Sequence, residues 1–365
     1  MPSELGRGAQ VYVGALCTLL DGAPDEHLVT TIFSSDSSEE SGLASHHRLA
    51  IPSGRLRRAG FDPRALVALT RHLRSLGPAL IVAHGGEAMK YAVLTPTPAP
   101  LVYYRIGTSA PAARQGWRRI LYRTLARRLA AVAAVSEATA AEARQLLGLE
   151  GTRVTVVANG RDPSVYPTPA GPGTGPELRL VFVGYLTPGK RPDRFVDLVA
   201  ALRARGVAVE ATMIGGGPLL EEIRAAAGAQ GIDVLGPRDD VATLLGRFSV
   251  LVFTSAPAGE GMPGVLIEAG MAGLAAVATD VPGAGEVIEH GVTGFVVPVD
   301  DHQALVDAVE RLAHDPDLRS AMGAAGRRRC ATTFSLAASA ARWNELIDEV
   351  APQALSTPSP RRRRR

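Results

Sequence analysis

The sequence predicts an α/β protein made of two βα domains with parallel sheets. The chain has 365 residues, which exceeds what one hydrophobic core usually organises. Apolar runs of four to seven residues alternate with helical periods, a pattern typical of strands covered on both faces. A Pro/Gly-rich stretch interrupts the alternation once and is predicted to be a linker. The expected parts are an N-terminal domain (1–166), a linker (167–177), a C-terminal domain (178–335), a terminal helix (336–351) and a disordered basic tail (352–365).

Composition predicts the class of protein and its compartment. With 46% hydrophobic and 21% charged residues, the chain has the make-up of a soluble globular enzyme. It contains no uninterrupted apolar run near 18 residues, and its start lacks the pattern of a signal peptide, so a cytoplasmic protein is predicted. Cys17 and Cys330 are far apart and lack metal-ligand spacing, which predicts reduced, structural thiols.

The first domain begins with a glycine loop and a helix in GRGAQVYVGALCTLLDG. A βα domain places a strand before that loop, but only five residues precede it. Either the recorded start lies downstream of the real one, or the sheet lacks an inner strand. The first explanation is favoured, because a missing central strand leaves its neighbours' hydrogen-bond ladders unpaired.

The remaining elements of the first domain alternate regularly. They are the helix ALVALTRHLRSL, the strands ALIVAHG and LVYYRIG, an arginine-rich helix, the strand LAAVAAVS, the helix ATAAEARQLLG and the strand RVTVVANG. His84 ends one of these strands, and Gly85 and Gly86 allow close backbone approach there. We predict that His84 faces the cleft between the domains, although a structural histidine fits the pattern equally well.

The arginine-rich helix, residues 114–129, gives the first domain a basic face, because no acidic residue occurs between Glu87 and Glu137. A basic amphipathic helix can adsorb to an anionic membrane. It can equally pack an apolar stripe onto the sheet. The predicted stripe comprises Trp117, Ile120, Leu121, Leu125 and Leu129.

The second domain contains the chemistry-bearing motif SVLVFTSAPAGEGMPGVLIEAGMAGLAAVATD. SVLVFTS is predicted to be a buried strand, and Pro263 stands where a helix would start. Glu260 then lies in the loop and Glu268 about a turn and a half into the helix. Such a helix start suits a phosphate, and the two acids suit sugar hydroxyls. The predicted binding residues of this loop and helix start are Gly261, Met262, Pro263, Gly264 and Val265.

The same alternation of strands and helices surrounds this motif. The other predicted elements are the strands LRLVFVG, VEATMIGGG, IDVLG, AAVATDV and GFVVPVDD, and helices over about 192–205, 218–229, 302–313 and 335–350.

The setting S-x-x-x-x-E-G-x-P-x-x-x-x-E-A resembles the E-x7-E signature of retaining, nucleotide-sugar-dependent glycosyltransferases of the GT-B fold. The segment DVPGAGEVIEHGVTGFVVPVDD is also similar to that family. The resemblance implies two Rossmann-like domains facing each other across a cleft, with the C-terminal helix packing back towards the N-terminal domain. It implies that Glu260 holds the transferred sugar and Glu268 the ribose.

The stretch GYLTPGK nearly matches a phosphate-binding P-loop. An NTPase is disfavoured because Arg191 stands where Ser or Thr would hold magnesium. In the family this place has G-R-L with a lysine shortly after, so the resemblance implies that Lys190 meets the donor diphosphate and that Gly184 and Tyr185 belong to the donor-binding loop. Tyr185 replaces the family's arginine, and the second cation is either missing or supplied by Arg191.

Further donor contacts follow from the resemblance. The glycine cluster with Gly215 and Gly216 would also suit a dinucleotide-binding fold, but no acid follows at ribose distance, so it is interpreted as the nucleotide-side loop. Arg238 is placed at the edge of the base, and Gly8 in a loop near the diphosphate.

Two departures from the family fall in the first domain. Val82 replaces the first histidine of a His-x-His-Gly motif, and Ile106 stands where many relatives have an active-site histidine. Arg105, beside it, is predicted to lie on the acceptor side. The predicted catalytic residues are Glu260, Lys190 and His84.

The resulting hypothesis is retaining hexosyl transfer from a nucleoside diphosphate sugar to a hydroxyl of a glycan, lipid-linked or small-molecule acceptor. No divalent metal is expected, since no D-x-D ends a strand, and the single D-x-D of the sequence, residues 315–317, is predicted to lie between helical segments. The predicted partners are the nucleotide sugar, the acceptor and an anionic membrane surface, with no specific nucleic acid. The alternative is a degenerate, non-catalytic module that binds nucleotide sugar or a catalytic partner.

Overall fold

The computed structural model describes residues 8–17, 19–20, 27–33, 46–52, 56, 60–108, 116–149, 153–167 and 178–352. The chain forms two compact units. The first unit contains the described residues up to Gly160 and those from Leu336 onward, and the second contains Arg161–Ser335. Parallel sheets flanked by helices build both units, which confirms the predicted α/β class. The linker beyond Pro167 and the tail beyond Pro352 lie outside the described residues.

In the first unit, the strands form two parallel sheets, β1-β2 and β3-β4-β5-β6. Its elements are α1 (Gly8–Cys17), β1 (Val29–Phe33), β2 (His46–Ile51), α2 (Pro63–Leu76), β3 (Ile81–His84), α3 (Gly85–Ala92), β4 (Leu101–Arg105), α4 (Gly116–Ala126), β5 (Ala131–Ala134), α5 (Glu137–Leu147), β6 (Arg153–Val156) and, from the end of the chain, α13 (Leu336–Val350).

Local sequence explains where the helices of this unit begin and end. The Asp62 carboxylate accepts a hydrogen bond from the Arg64 backbone N–H at the start of α2, and Pro63 occupies the first helical position. Ser136 and Thr139 form a capping box at the start of α5. Both helices end at a glycine with left-handed backbone, the conformation that glycine adopts most readily.

Two clusters of buried side chains can be described in the first unit. One cluster of buried side chains joins β3, β4 and β5 to α3, α4 and α5, and a second joins β1 to α2 and Tyr91. A cavity of about 310 Å³ is lined by residues of both β1 and β3 and by Val13 of α1 and Trp343 of α13. Trp343 Nε1 donates to Tyr12 Oη at 2.9 Å, so α13 is part of the first unit.

The second unit has one six-stranded parallel sheet in the order β12-β11-β10-β7-β8-β9. One cluster of buried side chains runs across this sheet and the helices that cover it. Its elements are β7 (Leu178–Val183), α6 (Pro192–Ala204), β8 (Val209–Ile214), α7 (Leu220–Ala229), β9 (Asp233–Gly236), α8 (Val241–Leu245), β10 (Val250–Phe253), α9 (Gly264–Ala272), β11 (Ala275–Thr279), α10 (Ala284–Val287), β12 (Gly294–Val297), α11 (His302–His314) and α12 (Pro316–Thr333).

Helix α12 was not predicted, and it supports the helix α9 that follows the motif loop. A Cβ added at Gly270 of α9 would lie 2.3 Å from the Cys330 sulfur of α12, so the two helices pack closely. Burial raises the pKa of the Cys330 thiol to about 12, consistent with the predicted structural role. Asp315 caps α12 by accepting from the Leu318 N–H at 2.8 Å. The D-x-D at 315–317 therefore begins a helix.

Candidate functional site

The candidate site lies at the carboxyl ends of neighbouring strands of the second unit. The chain leaves β10, passes through the loop that contains Glu260, and enters α9, on which Glu268 is the fifth residue. Pro263 is the N-cap, one residue before the helix. The Glu260 side chain is 13% exposed and that of Glu268 is 23% exposed. Both carboxylates are thus largely enclosed.

Glu260 forms an ion pair with Lys190. The distance from Lys190 Nζ to Glu260 Oε1 is 2.5 Å, and the ammonium lies 5.3 Å from the centre of the Phe253 ring. The Thr254 hydroxyl donates to the carbonyls of Lys190 and Arg191, at 3.0 and 2.9 Å. These hydrogen bonds join the loops after β7 and β10. The structure therefore brings two of the three predicted catalytic residues into contact.

Glu268 forms an ion pair with Arg161, which sequence reasoning missed. Arg161 Nε donates to Glu268 Oε1 at 2.8 Å, and the Arg161 side chain is only 13% exposed. Burial, followed by the charge of Glu268, raises the pKa of the neighbouring Tyr166. The available signal was an arginine directly after the Asn-Gly that follows a predicted strand.

Arg191, the residue predicted as a possible second cation for the diphosphate, forms an ion pair with Asp300. Arg191 adopts a left-handed backbone (φ 48°), and its Nη1 lies 3.0 Å from the Asp300 carboxylate. Tyr185, which replaces the family's arginine, is 50% exposed. The ion pair with Asp300 gives Arg191 a role within the unit, and its contact with a diphosphate stays a prediction.

The glycines after β7 and β8 allow two loops to touch through their backbones. A Cβ at Gly215 (φ 145°) would lie 1.9 Å from the Gly184 carbonyl oxygen. The Gly215 N–H donates to the Gly236 carbonyl at 2.8 Å, and the Leu186 N–H donates to that of Gly216 at 2.8 Å. The close contact between the two loops therefore requires glycine at position 215, whether or not a donor binds there. The predicted donor contacts of these glycines stay a prediction.

Arg238, predicted at the edge of the base, is about half exposed and holds Asp240 through two hydrogen bonds of 2.8 and 2.6 Å. This hydrogen bonding lowers the pKa of Asp240. The predicted contact of Arg238 with a nucleotide base stays a prediction.

The start of α9 has the features of an anion site. In this fully described part of the chain, the helix has no side-chain cap and no acid in its first turn. The loop before it is held by Gly283 (φ 81°), where a Cβ would lie 2.4 Å from the Gly261 carbonyl oxygen. The first N–H groups of a helix carry partial positive charge. Glu260 lies in the loop directly before these groups.

His84 belongs to the first unit. It ends β3, with the Tyr104 ring edge-on at 5.2 Å, and its Nδ1 is buried with no hydrogen-bond partner among the described residues. Burial lowers the pKa of His84 to about 3, so its imidazole is neutral at physiological pH. A Cβ at Gly85 would lie 3.5 Å from Ile106 Cδ1, which places Ile106 beside this turn. A catalytic role of His84 stays a prediction.

Arg105 is buried within the first unit. Only 2% of the residue is exposed, and its Nη2 lies 2.9 Å from Glu142 Oε1 of α5. This ion pair gives Arg105 a structural role, and the acceptor-side contact stays a prediction. Gly8 is the first residue of α1, and the loop before it lies outside the described residues.

The arginine-rich segment forms α4, but its buried stripe differs from the predicted one. Ala126 and Leu129 are buried, and Tyr122 and Leu125 pack against the same core. Ile120 and Leu121 are instead 69% and 44% exposed. The inward face thus follows the spacing i, i+3, i+4, i+7 from position 122, because these residues face the sheet. Arg114 and the side chain of Trp117 lie outside the described residues.

Among the described residues, no helix is both long and apolar enough to cross a membrane. Within the same ranges, no three His, Cys, Asp or Glu side chains converge as metal ligands would. Metal independence of a reaction stays a prediction.

Comparison with known proteins gives matches in both halves of the chain. Residues 6–165 match the family model described as Glycosyltransferase Family 4, and residues 177–315 match that described as Glycosyl transferases group 1. The chain is 31% identical over 188 residues to the GDP-mannose-dependent alpha-(1-6)-phosphatidylinositol monomannoside mannosyltransferase of Mycobacterium tuberculosis, covering 48% of this chain and 47% of that protein.

It is 32% identical over 230 residues to alpha-maltose-1-phosphate synthase of Mycolicibacterium smegmatis, covering 55% of this chain and 58% of that protein. A third match, an exopolysaccharide phosphotransferase of Streptomyces coelicolor, is 30% identical over 176 residues, which are 47% of this chain and 18% of that protein. The chain thus spans between 18% and 58% of the length of these curated relatives.

Solved structures match over nearly the whole chain. HepE of Anabaena, crystallised with UDP and glucose, superposes with a TM-score of 0.78 at 20% identity, covering 96% of this chain and 98% of that one. Sucrose-phosphate synthase of Thermosynechococcus elongatus gives 0.77 at 18% identity, covering 97% and 96%. These likenesses show the GT-B fold. Because both halves match glycosyltransferase family models as well, the chain belongs to the group 1 / family 4 glycosyltransferases.

Proposed function

We propose that this protein is a retaining glycosyltransferase that moves a hexosyl group from a nucleoside diphosphate sugar to an acceptor hydroxyl. The observation that carries the proposal is the Lys190–Glu260 ion pair beside the start of α9, with Glu268 on that helix. Relatives named for GDP-mannose-dependent transfer and a fold neighbour crystallised with UDP and glucose support a nucleotide-sugar donor.

In the proposed reaction, the bond between the donor's anomeric carbon and the diphosphate oxygen breaks, and a bond to the acceptor oxygen forms on the same face. The departing phosphate oxygen takes the acceptor's proton, so no protein nucleophile is required. Lys190 exchanges its contact with Glu260 for a phosphate oxygen. Its ammonium and the N–H groups at the start of α9 stabilise the charge that develops on the diphosphate. Glu260 is then available to hold the sugar hydroxyls, and no divalent metal is needed.

The test is donor turnover. UDP-, GDP- and ADP-hexoses are incubated with the protein, with and without candidate acceptors and with and without EDTA, and release of the nucleoside diphosphate is measured. We expect one donor to be turned over without metal, its sugar to keep its anomeric configuration by NMR, and Glu260→Gln to remove the activity. Binding without release of diphosphate or sugar would instead identify the non-catalytic module. No binding of any nucleotide sugar would contradict the proposal.

We further propose that this enzyme is cytoplasmic and that α4 attaches it to the inner face of a membrane. The exposed Ile120 and Leu121 are accompanied by exposed Arg119, Arg123 and Arg127. Apolar side chains flanked by arginines bind anionic lipid surfaces. The protein should sediment with phosphatidylglycerol vesicles and not with phosphatidylcholine vesicles, and Ile120→Asp with Leu121→Asp should abolish this. Equal sedimentation of the double variant would contradict the proposal.

A further inference from the structure

We infer that Arg161 is a positioning residue of the donor site, which holds the Glu268 carboxylate in the orientation that the donor ribose requires. This inference rests on the proposed function, and it assigns a role to a residue that no motif in the sequence singled out. It also explains why Gly264 lacks a side chain.

Arg161 reaches Glu268 from a firmly held backbone. The Arg161 N–H donates to the Phe334 carbonyl at 2.9 Å, and Arg161 pairs with Ser335 in an isolated parallel bridge. The guanidinium therefore extends from a fixed point on the segment that follows α12. Its Nε donates to Oε1 of Glu268 at 2.8 Å, across 107 positions of sequence.

Gly264 makes space for this contact. A Cβ at Gly264 would lie 2.2 Å from Arg161 Nη2 and 3.8 Å from Glu268 Oε1. The guanidinium thus lies over the first residue of α9, inside the turn that leads to Glu268. Gly264 has no positive φ, so the need for glycine here comes from the arginine and not from the backbone.

The charge arrangement argues against a purely stabilising role. A cation at the start of a helix is repelled by the helix dipole, so Arg161 does not favour α9 by itself. Its ion pair with the partly exposed Glu268 offsets that repulsion. The arrangement is therefore better suited to restraining the carboxylate, and to meeting an anionic ligand, than to stabilising the helix.

The ion pair with Arg161 should affect how Glu268 binds the ribose hydroxyls of the donor. A carboxylate held through Oε1 cannot rotate freely, and its hydrogen bonds to a vicinal diol are then set in advance. Without Arg161, Glu268 would have to be ordered by the ligand itself, and its hydrogen bonds would weaken. A hydrogen bond to a charged group changes affinity by about tenfold or more. Preference for a nucleotide with ribose hydroxyls should fall by about that factor.

The experiment compares binding of nucleoside diphosphates by calorimetry. UDP, GDP and ADP are tested first, and the tightest is then compared with its 2′,3′-dideoxy form on the wild type, Arg161→Met, Glu268→Gln and the double variant. We expect Arg161→Met to lower the ribose preference about tenfold, and the double variant to lose no more than Glu268→Gln alone. Arg161→Lys should restore part of the preference. Arg205→Met, which breaks the pairs with Asp307 and Glu310 elsewhere in the second unit, is the matched control and should leave the preference unchanged.

The outcomes separate this inference from the proposed function. If the wild type binds no nucleoside diphosphate, the proposed function fails. If it binds one and Arg161→Met keeps the wild-type ribose preference, the inference fails and Arg161 is only structural. A general loss of folding would lower the affinities for the ribonucleotide and for its dideoxy form equally. The ratio of the two affinities would then stay unchanged, and this result also counts against the inference.

Discussion

As far as the structure describes them, the two units arrange similar strands and helices in different numbers of sheets. In the second unit, six parallel strands form one sheet over one core. In the first, the described strands fall into two sheets, and a cavity of about 310 Å³ is lined by both. In the continuous sheet, the loops after β7 and β10 are hydrogen-bonded together, which brings Lys190 to Glu260. In the first unit, the His84 Nδ1 atom and the Arg105 side chain are buried. Hydrogen bonds between neighbouring loops of one sheet thus bring residues distant in sequence into one site.

The largest expected difference between the units comes from the chain's two lysines. Lys190 pairs with Glu260 in the second unit, and Lys90 pairs with Glu87 at 2.9 Å in the first. Lys190→Met should lower the rate of donor turnover by about 100-fold to 1,000-fold, since a fixed charge next to the leaving group is lost. Lys90→Met should change the rate by no more than about twofold, because a partly exposed pair contributes little. Equal losses in both variants would contradict the assignment of the chemistry to the second unit.

An alanine-to-leucine substitution should change the free energy of unfolding in opposite directions in the two units. Ala88 of α3 lines the cavity, and Ala227 of α7 is fully buried in the continuous core. Ala227→Leu should lower the free energy of unfolding by about 1 to 3 kcal/mol through overpacking. Ala88→Leu should raise it by about 1 kcal/mol, because the added methyl groups fill existing space.

Urea unfolding can follow the units separately. Both tryptophans, Trp117 and Trp343, belong to the first unit, so their fluorescence reports on that unit, and hydrogen exchange of peptides from β7 and β10 reports on the second. Destabilisation of the first unit by Ala88→Leu would show that the cavity does not accept side-chain volume.

Acid should weaken the first unit through His84. Burial lowers the pKa of His84 to about 3, below the ordinary histidine value of 6.5, so between these pH values the unfolded chain binds the extra proton. Stability is therefore complete above about pH 6.5 and is lost as the pH falls towards 3, by up to about 1.4 kcal/mol per pH unit. The pKa of His72 is also lowered, by burial and then by His47, so part of the dependence remains without His84.

The measurement is the melting temperature by tryptophan fluorescence at pH 7 and pH 5. His84→Gln should show a smaller decrease between the two pH values than the wild type. An identical decrease in the two proteins would mean that His84 is protonated without cost in the folded unit.

Local patterns predicted most elements and few of the long-range contacts. Helices 192–204, 302–314 and 336–350 lie close to their predicted bounds, because their apolar periods and flanking residues are local signals. The Arg161–Glu268 pair joins residues 107 positions apart, so no local pattern contains it. The exposure of Ile120 depends on which face of α4 meets the sheet, and helical spacing alone fits either choice. Charged residues at the ends of strands could be recognised, but their partners depend on strand order.

The most direct test of the central claim is hydrogen–deuterium exchange with and without a nucleoside diphosphate that binds. The start of α9, with Lys190 and the two acids of the second unit, is claimed as the donor site. We predict slower exchange in peptides covering 184–191 and 254–268 of the second unit, including the N–H groups of Met262, Gly264 and Val265. Slower exchange confined to the first unit, with unchanged exchange in 254–268, would contradict the account.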